Sequence, residues 1–294
     1  MAPSNMEFID DDREDLNACP WCGAEEADPW GRPVRGFVSA LCKTCGLIFI
    51  QNRLSGAGLE RYYKSYLSSV HQADKEMKAK RAGMYRIEAD FINQHSPGGS
   101  VLDVGCSGGY FLDVLKERGF HCHGVEFGEE AAAEAAGKHE VRQGDCANLD
   151  LEGPFDLIVF RGVIEHIPDP RGYLDRAISL LGTGGLVYIT STPDANAFCC
   201  ALFEEQWNQH EPEAHLMHFR PAHFDEYFAK AGMEKTAEHH FYEETPYADP
   251  EQDVLKVAEA IKLRRAGQTV DFRSPSFWGN MMSLVYRKPG SSSG

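Results

Sequence analysis

Val101-Leu102-Asp103-Val104-Gly105-Cys106-Ser107-Gly108-Gly109-Tyr110 decides how this chain is read. Three apolar residues around one carboxylate read as a short buried strand, and the glycines after them break it. Phe111-Leu112-Asp113-Val114-Leu115-Lys116 then resumes at helical spacing. The order is strand, glycine turn, helix. A ligand can there approach bare backbone and meet the amides at a helix N-terminus. A glycine turn alone says little, because tight packing in α/β proteins also calls for one.

The next stretches of chain add specificity. His121-Cys122-His123-Gly124-Val125-Glu126 reads as a second strand ending in an acid. It lies about twenty residues past the turn, where doubly wound folds place an acid that accepts hydrogen bonds from ribose hydroxyls. Gly144-Asp145-Cys146-Ala147 comes after a third short strand over His139–Gln143, and Phe155-Asp156-Leu157-Ile158-Val159 opens a fourth. The nicotinamide fingerprint Gly-x-Gly-x-x-Gly lacks its first pair here.

This series resembles class I S-adenosylmethionine-dependent methyltransferases. The resemblance implies an α/β, Rossmann-like sheet with helices on both faces. It also implies roles in cofactor binding. Gly105 and Gly108 let the amino-acid end of S-adenosylmethionine sit on backbone, with Cys106 and Tyr110 beside them. Asp103 orients the turn or the cofactor amino group. Glu126 holds the ribose next to Phe127, Asp145 and the Cys146 amide face adenine, and Arg161 completes the set. As residues alone, Cys106, Cys122 and Cys146 read as small apolar fillers.

Glu165-His166-Ile167-Pro168-Asp169-Pro170, after the fourth strand, is similar to a run in methyltransferases of quinone biosynthesis and their sugar- and natural-product-modifying relatives. His166 is a candidate general base; capping and packing of the next turn is the plainer role. Ala195–Phe219 is a long excursion, dense in His, acids and aromatics, of the kind that serves as a lid. Its Pro212, His215, His218 and Phe219 match a segment that lines the acceptor site in the resembling family. His215 is the first candidate for the base that removes an acceptor proton and His218 the second, imidazole titrating near working pH. His210, His215 and His218 with Glu211 or Glu213 could instead surround Mg²⁺ or Zn²⁺, though their spacing is not diagnostic.

Near the N-terminus, Cys19-Pro20-Trp21-Cys22-Gly23 and Cys42-Lys43-Thr44-Cys45-Gly46 are two Cys-x-x-Cys-Gly knuckles with nineteen residues between them. That spacing fits a zinc ribbon ligated by Cys19, Cys22, Cys42 and Cys45, with strands over Val34–Leu41 and Leu47–Ile50. Four thiolates leave no open position for water, so such a Zn²⁺ is structural. Zinc-ribbon methyltransferases with this layout include enzymes that modify deoxysugars and other bacterial metabolites. Some sugar C-methyltransferases carry a further C-terminal domain that this chain does not reach, which favours O- or N-methylation.

With 294 residues, 43% of them hydrophobic, the chain holds one large domain or one domain with a small appendage. Residues 1–54 read as the ribbon, 55–99 as a helical linker or cap and 100–290 as the methyltransferase domain. Residues 194–220 and 243–276 read as acceptor-site lid and insertion. Met1–Asn17 is polar and loosely ordered, without the apolar core of a secretory signal. Gly290–Gly294 reads as a flexible tail. A tyrosine cluster at Tyr62, Tyr63 and Tyr66 is placed to line the cofactor mouth or to pack a helix. No apolar run reaches the roughly twenty residues of a membrane span, and a cytoplasmic location is expected. A net charge of −16 disfavours nucleic acid, which needs clustered Lys and Arg. The expected partner is a small-molecule acceptor. RNA or protein methylation guided by the ribbon, and a non-catalytic scaffold, are the alternatives.

Overall fold

The computed structural model describes residues 8–71, 75–96 and 98–290. Its main sheet has seven strands. In chain order these are β6 (Gly99–Val104), β7 (Phe120–Glu126), β8 (Glu140–Gln143), β9 (Phe155–Arg161), β10 (Leu181–Pro193), β12 (Glu234–His239) and β13 (Met281–Arg287). Their spatial order is β12-β13-β10-β9-β6-β7-β8. Strands β6 to β10 run parallel, while β13 is antiparallel to both β10 and β12 and closes the sheet.

Alternation along these strands builds two cores. Val101, Leu157, Val159, Leu186, Tyr188 and Val285 face one side, joined by Ala89 and Ile92 of α2 (Lys75–His95) and Phe111, Leu112 and Leu115 of α3 (Tyr110–Glu117). Leu102, Val104, Ile158, Phe160, Val187 and Ile189 face the other side. There they meet Leu174 and Ala177 of α5 (Pro170–Leu180) and Phe224 and Phe228 of α7 (Pro221–Lys230). Fully burying one such side chain stabilises by about 1.5–3 kcal/mol, so strands with both faces covered read as unbroken apolar runs. This is a Rossmann-like α/β sheet with helices on both faces.

The N-terminal part forms its own small sheet. Strands β2 (Ala27–Pro29), β3 (Ser39–Cys42) and β4 (Ile48–Ile50) are joined by β11 (Met217–His218), in the order β11-β4-β3-β2. The strand expected over Val34–Leu41 is thus shorter and starts at Ser39; Val34 and Phe37 make only an isolated bridge. Arg13–Asp15, in a stretch whose sequence reads as loose, pairs as β1 with β5 (Asn52–Leu54). Two helices link the ribbon to the main sheet, α1 (Gly56–His71) and α2. Residues 1–7, 72–74, Pro97 and residues 291–294 lie outside the described residues, as does the side chain of Tyr66.

Residues 194–220, the expected lid, carry α6 (Phe198–Phe203) and end in β11. Backbone bonds tie this segment on both sides. Ile50 donates to Leu216 O (3.0 Å), Leu216 donates to Glu165 O (2.9 Å) and Ala195 donates to Phe219 O (2.7 Å). The segment stitches the ribbon to the loop after β9. Against α6 packs α8 (Pro250–Arg265), with Cys199, Cys200, Phe203, Val257 and Ala260 in a third core. No described helix is long and apolar enough to cross a membrane.

Candidate active site

The order of strands reverses between β6 and β9, and open α/β sheets take ligands at the carboxyl ends of the strands there. After β6 comes the glycine turn. Gly105 has φ +77°, and a Cβ on it would lie 2.7 Å from Val163 Cγ2, so the turn admits no side chain there. Gly105 and Cys106 donate to Val125 O, and Ser107 N–H donates to Glu126 Oε2 at 2.8 Å. Helix α3 begins at Tyr110 with no side-chain cap, leaving its first amides open toward the turn.

Two features of this turn fit a cofactor with a cationic amino-acid end and a ribose. Asp103 is 2% exposed, and its Oδ1 has no hydrogen-bond partner. Burial pushes its carboxyl up to about 7. An orphaned buried acceptor of that kind calls for a donor, best a charged one. Glu126 accepts one backbone N–H on each oxygen, from Ser107 and from Gly128 (2.8 Å each), which aims the carboxylate and leaves further lone pairs. Phe127 beside it is 58% exposed, a large apolar face with nothing on it.

Other expected cofactor residues are placed differently. Asp145 accepts from Ala147 N–H (2.9 Å), the Asn148 side chain (2.8 Å) and the Tyr173 hydroxyl, so most of its capacity holds its own loop. Tyr110 turns its hydroxyl onto Glu134 Oε1 at 2.6 Å. Gly108 sits against Tyr110 and Glu134, where a Cβ would come within 3.0 Å. Cys106 and Cys146 are buried fillers, their thiols pushed up by burial.

Arg161, at the end of β9, is held by Glu88 Oε2 at 2.6 Å and lies 4.3 Å over the Tyr85 ring. Glu88 is fully buried on α2 and also accepts from Thr190 Oγ1 (2.9 Å) and Ser191 Oγ (2.6 Å). Sequence reading missed it. Its only signal is one acid on the apolar stripe between Met84 and Ile92, a position where an unpaired charge is costly.

Beside this network lie the candidate bases. His166 Nδ1 bonds Ala214 O at 2.9 Å and His215 Nδ1 bonds Gln209 O at 2.6 Å. A carbonyl only accepts, so both rings carry Nδ1–H and expose a bare Nε2. The two rings meet edge to face, with centroids 4.7 Å apart. Glu165 is 1% exposed, and its side chain accepts only a 3.4 Å contact from Thr192 Oγ1. Burial pushes Glu165 up to about 8 and His166 down to about 3, and it lowers His215 as well.

His218 is fully buried with neither nitrogen bonded, 5.4 Å from the rings of Trp207 and His210. His210 Nε2 is engaged by Ser39 Oγ of the ribbon at 2.9 Å. His210, His215 and His218 therefore do not close on one point. Of those three, His215 joins Glu165 and His166, with one ligand atom from each residue within 4.8 Å of the others.

The four ribbon cysteines form the other such cluster among the described residues. Cys19 and Cys45 sulfurs stand 3.6 Å apart, as do those of Cys22 and Cys42. Tetrahedral zinc with Zn–S bonds of about 2.3 Å sets sulfurs about 3.8 Å apart, so this cage fits the metal. Gly46, at φ +74°, makes the second knuckle, and its N–H donates to Cys42 O (2.9 Å). Trp21, inside the first knuckle, packs edge-on against Phe219 at 5.3 Å and Phe224 at 6.1 Å. His223 of α7 bonds the Cys45 carbonyl through Nε2 at 3.1 Å. The cage is thus bolted to the end of the segment that carries His215.

The family model described as a methyltransferase domain matches residues 70–238. The chain belongs to that methyltransferase family. Among curated relatives, it is 28% identical to a ubiquinone biosynthesis O-methyltransferase of Xylella fastidiosa over 117 residues, which cover 36% of this chain and 47% of the relative. The same name belongs to a Nitrosococcus oceani relative, 28% identical over 165 residues, which cover 50% of this chain and 70% of that one. The chain spans about half the length of most of the curated relatives it matches. Among solved structures, a SAM-dependent methyltransferase of Thermotoga maritima aligns with a TM-score of 0.54 at 19% identity, covering 76% of this methyltransferase and 97% of that one. The 1,6-didemethyltoxoflavin-N1-methyltransferase of Burkholderia thailandensis aligns with 0.53 at 17% identity, covering 90% and 100%. These likenesses concern the fold.

Proposed function

We propose that this methyltransferase moves the methyl group of S-adenosylmethionine to a hydroxyl of a small-molecule acceptor. A sugar, a surface-polysaccharide precursor or a secondary metabolite is the expected class. One observation carries the reading: the unpartnered, buried Asp103 oxygen stands at the glycine turn, where the cofactor ammonium would supply its missing donor. Glu126 with its spare lone pairs would take the ribose hydroxyls, and Phe127 would cover the base. Arg161 would remain beside the amino-acid end, held by Glu88.

The sulfonium is an activated donor when bound, so the protein mainly has to align acceptor and methyl group. Alignment alone supplies several kcal/mol of barrier lowering, on the order of 7–11 kcal/mol at best. Glu165, His166 and His215 would form the acceptor end. Each carries an unprotonated or weakly bonded acceptor atom in the loop after β9 or against it. His218, fully buried with its ring centroid 6.0 Å from that of His215, would pack against this end. A structural Zn²⁺ in the four-cysteine cage would hold β11 and the segment carrying His215 against the loop after β9.

The test uses S-adenosylmethionine with a deuterated methyl group, incubated with the protein and fractionated cell extract. Label in the low-mass fraction is expected, and its mass shift names the acceptor. Label in RNA or protein instead overturns the small-molecule part. Failure to bind the cofactor at millimolar concentration overturns the whole reading in favour of a scaffold.

A further inference from the structure

We propose that Glu165, His166 and His215 form a second metal site, built for a first-row divalent transition cation. Two bare imidazole nitrogens and one carboxyl group meet here, and the Thr192 hydroxyl is the one hydrogen bond to the carboxyl side chain. Both imidazoles are fixed with their protons on Nδ1, by Ala214 O at 2.9 Å and Gln209 O at 2.6 Å, so each has a bare Nε2 free to bind a metal. A ring N–H held by a backbone carbonyl is the usual support behind a metal-ligating histidine. Glu165 adds a carboxylate 1% exposed, its Oε1 3.8 Å from His166 Nε2.

Such a group suits a bound cation. A proton bridges two of the three atoms at a time, whereas a metal ion satisfies all of them. One ligand atom from each residue lies within 4.8 Å of the other two. Tetrahedral ligands about 2.1 Å from an ion stand about 3.4 Å apart, so small side-chain rotations close the site. Two nitrogens and one oxygen suit Mn²⁺, Fe²⁺, Co²⁺ or Zn²⁺ better than Mg²⁺ or Ca²⁺, which prefer oxygen alone.

Three protein ligands leave coordination positions open, as catalytic rather than structural sites do. The ligands come from distant parts of the chain that meet on one hinge of backbone. Leu216 N–H, next to His215, donates to the carbonyl of Glu165 itself at 2.9 Å. If the protein methylates a small-molecule hydroxyl as proposed, the open positions would take an oxygen of the acceptor, and the ion would lower the pKa of its hydroxyl. The site itself stands without that reading.

Mn²⁺ is the probe, because four thiolates select softer ions and the ribbon stays out of the count. The full chain, with its ribbon zinc in place, is titrated with Mn²⁺ and followed by electron paramagnetic resonance. The expected result is loss of the free-ion signal at about one equivalent, with nuclear modulation from imidazole nitrogen, and recovery of the signal when Zn²⁺ competes. Glu165→Gln and His215→Ala should each weaken Mn²⁺ binding by at least about tenfold while S-adenosylmethionine binding survives. Mn²⁺ that stays free with the unmodified protein, or that binds without imidazole modulation, overturns the site. Binding unchanged in either folded variant does so too. Metal bound as expected with no methyl transfer to any small molecule would overturn the functional reading and leave the site standing.

Discussion

The two halves of the crevice are built differently. The half proposed to bind the cofactor comes from nearly contiguous chain: Asp103, Gly105, Ser107 and Glu126 lie on β6, its turn and β7, and Ser107 N–H reaches Glu126 across nineteen positions. The half proposed to take the acceptor is gathered from afar. His166 bonds a carbonyl 48 positions away, Glu88 bonds Ser191 across 103 positions, and His215 lies two residues before β11, which pairs with the ribbon. A local half carries its geometry within one supersecondary unit. An assembled half depends on every element that holds it. Cofactor binding should therefore survive damage that abolishes turnover.

Loss of the ribbon metal is the harshest test of that difference. Structural zinc contributes on the order of 10 kcal/mol to the folding of small metal-dependent units. Cys22→Ser should release the metal and lower turnover by about a hundredfold or more, because β4 would no longer hold β11 and His215. Calorimetric affinity for S-adenosylmethionine should move by less than about threefold, since the glycine turn has no contact with the cage. A parallel collapse of both quantities would show that the two halves fold as one unit.

Glu88→Ala probes the seam between the halves, and its effect should come next. It strands the Arg161 guanidinium without its partner and removes the acceptor for Thr190 and Ser191. Removing one member of a buried pair costs about 3–5 kcal/mol, read as a lower denaturation midpoint in urea. Glu88→Gln, which keeps the two hydroxyl bonds, should cost visibly less. Equal losses would mean that the hydroxyls, and not the ion pair, hold α2 on the sheet.

The same contrast decides what could be read in the sequence. β6, the glycine turn and β7 were legible because strand, break and helix each carry their own signal within ten residues. The four cysteines were legible because metal geometry fixes their spacing. Glu165 and His166 stood out as a run, but their partner His215 could not be paired with them, since no spacing rule links positions 166 and 215. Residues 194–220 read as a lid because polar and aromatic residues without clear periodicity resemble a loop. In the fold their last residues are a strand of the ribbon, whose partner β4 lies far earlier in the chain. Two residues of β11 are too few to show a period of two.

Asp103→Asn sharpens the local half. It would weaken the proposed charge-assisted contact to the cofactor ammonium, and a hydrogen bond to a charged group contributes about 1.5–3 kcal/mol. S-adenosylmethionine should bind roughly ten- to a hundredfold more weakly by titration calorimetry. The unmodified protein should also bind it more weakly as pH falls through about 7, where the buried carboxyl takes up its proton, and the variant should lose that dependence. Stability of the cofactor-free protein runs the other way. A carboxyl raised from 3.8 to about 7 holds its proton in the folded state after the unfolded chain has released it. Its contribution to stability therefore declines as pH rises between those values. Affinity and stability should cross over one pH range, and a flat affinity profile would remove Asp103 from the cofactor site.

The smallest expected effect bears on Asp145, the residue of the local half whose placement departs most from a free adenine contact. Tyr173 of α5 donates its hydroxyl to Asp145 and so reaches from the assembled half into the local one. Tyr173→Phe deletes that donor while keeping the ring. One hydrogen bond contributes about 1 kcal/mol net, and Asp145 keeps Ala147 and Asn148, so the denaturation midpoint should drop slightly. If Asp145 chiefly holds its own loop, cofactor affinity should change by less than about twofold, well under 1 kcal/mol. If it also faces adenine, its aim depends on Tyr173, and affinity should fall by about fivefold, roughly 1 kcal/mol, at a similarly small cost in stability. The second outcome would mean that the cofactor half, too, leans on contacts made far along the chain.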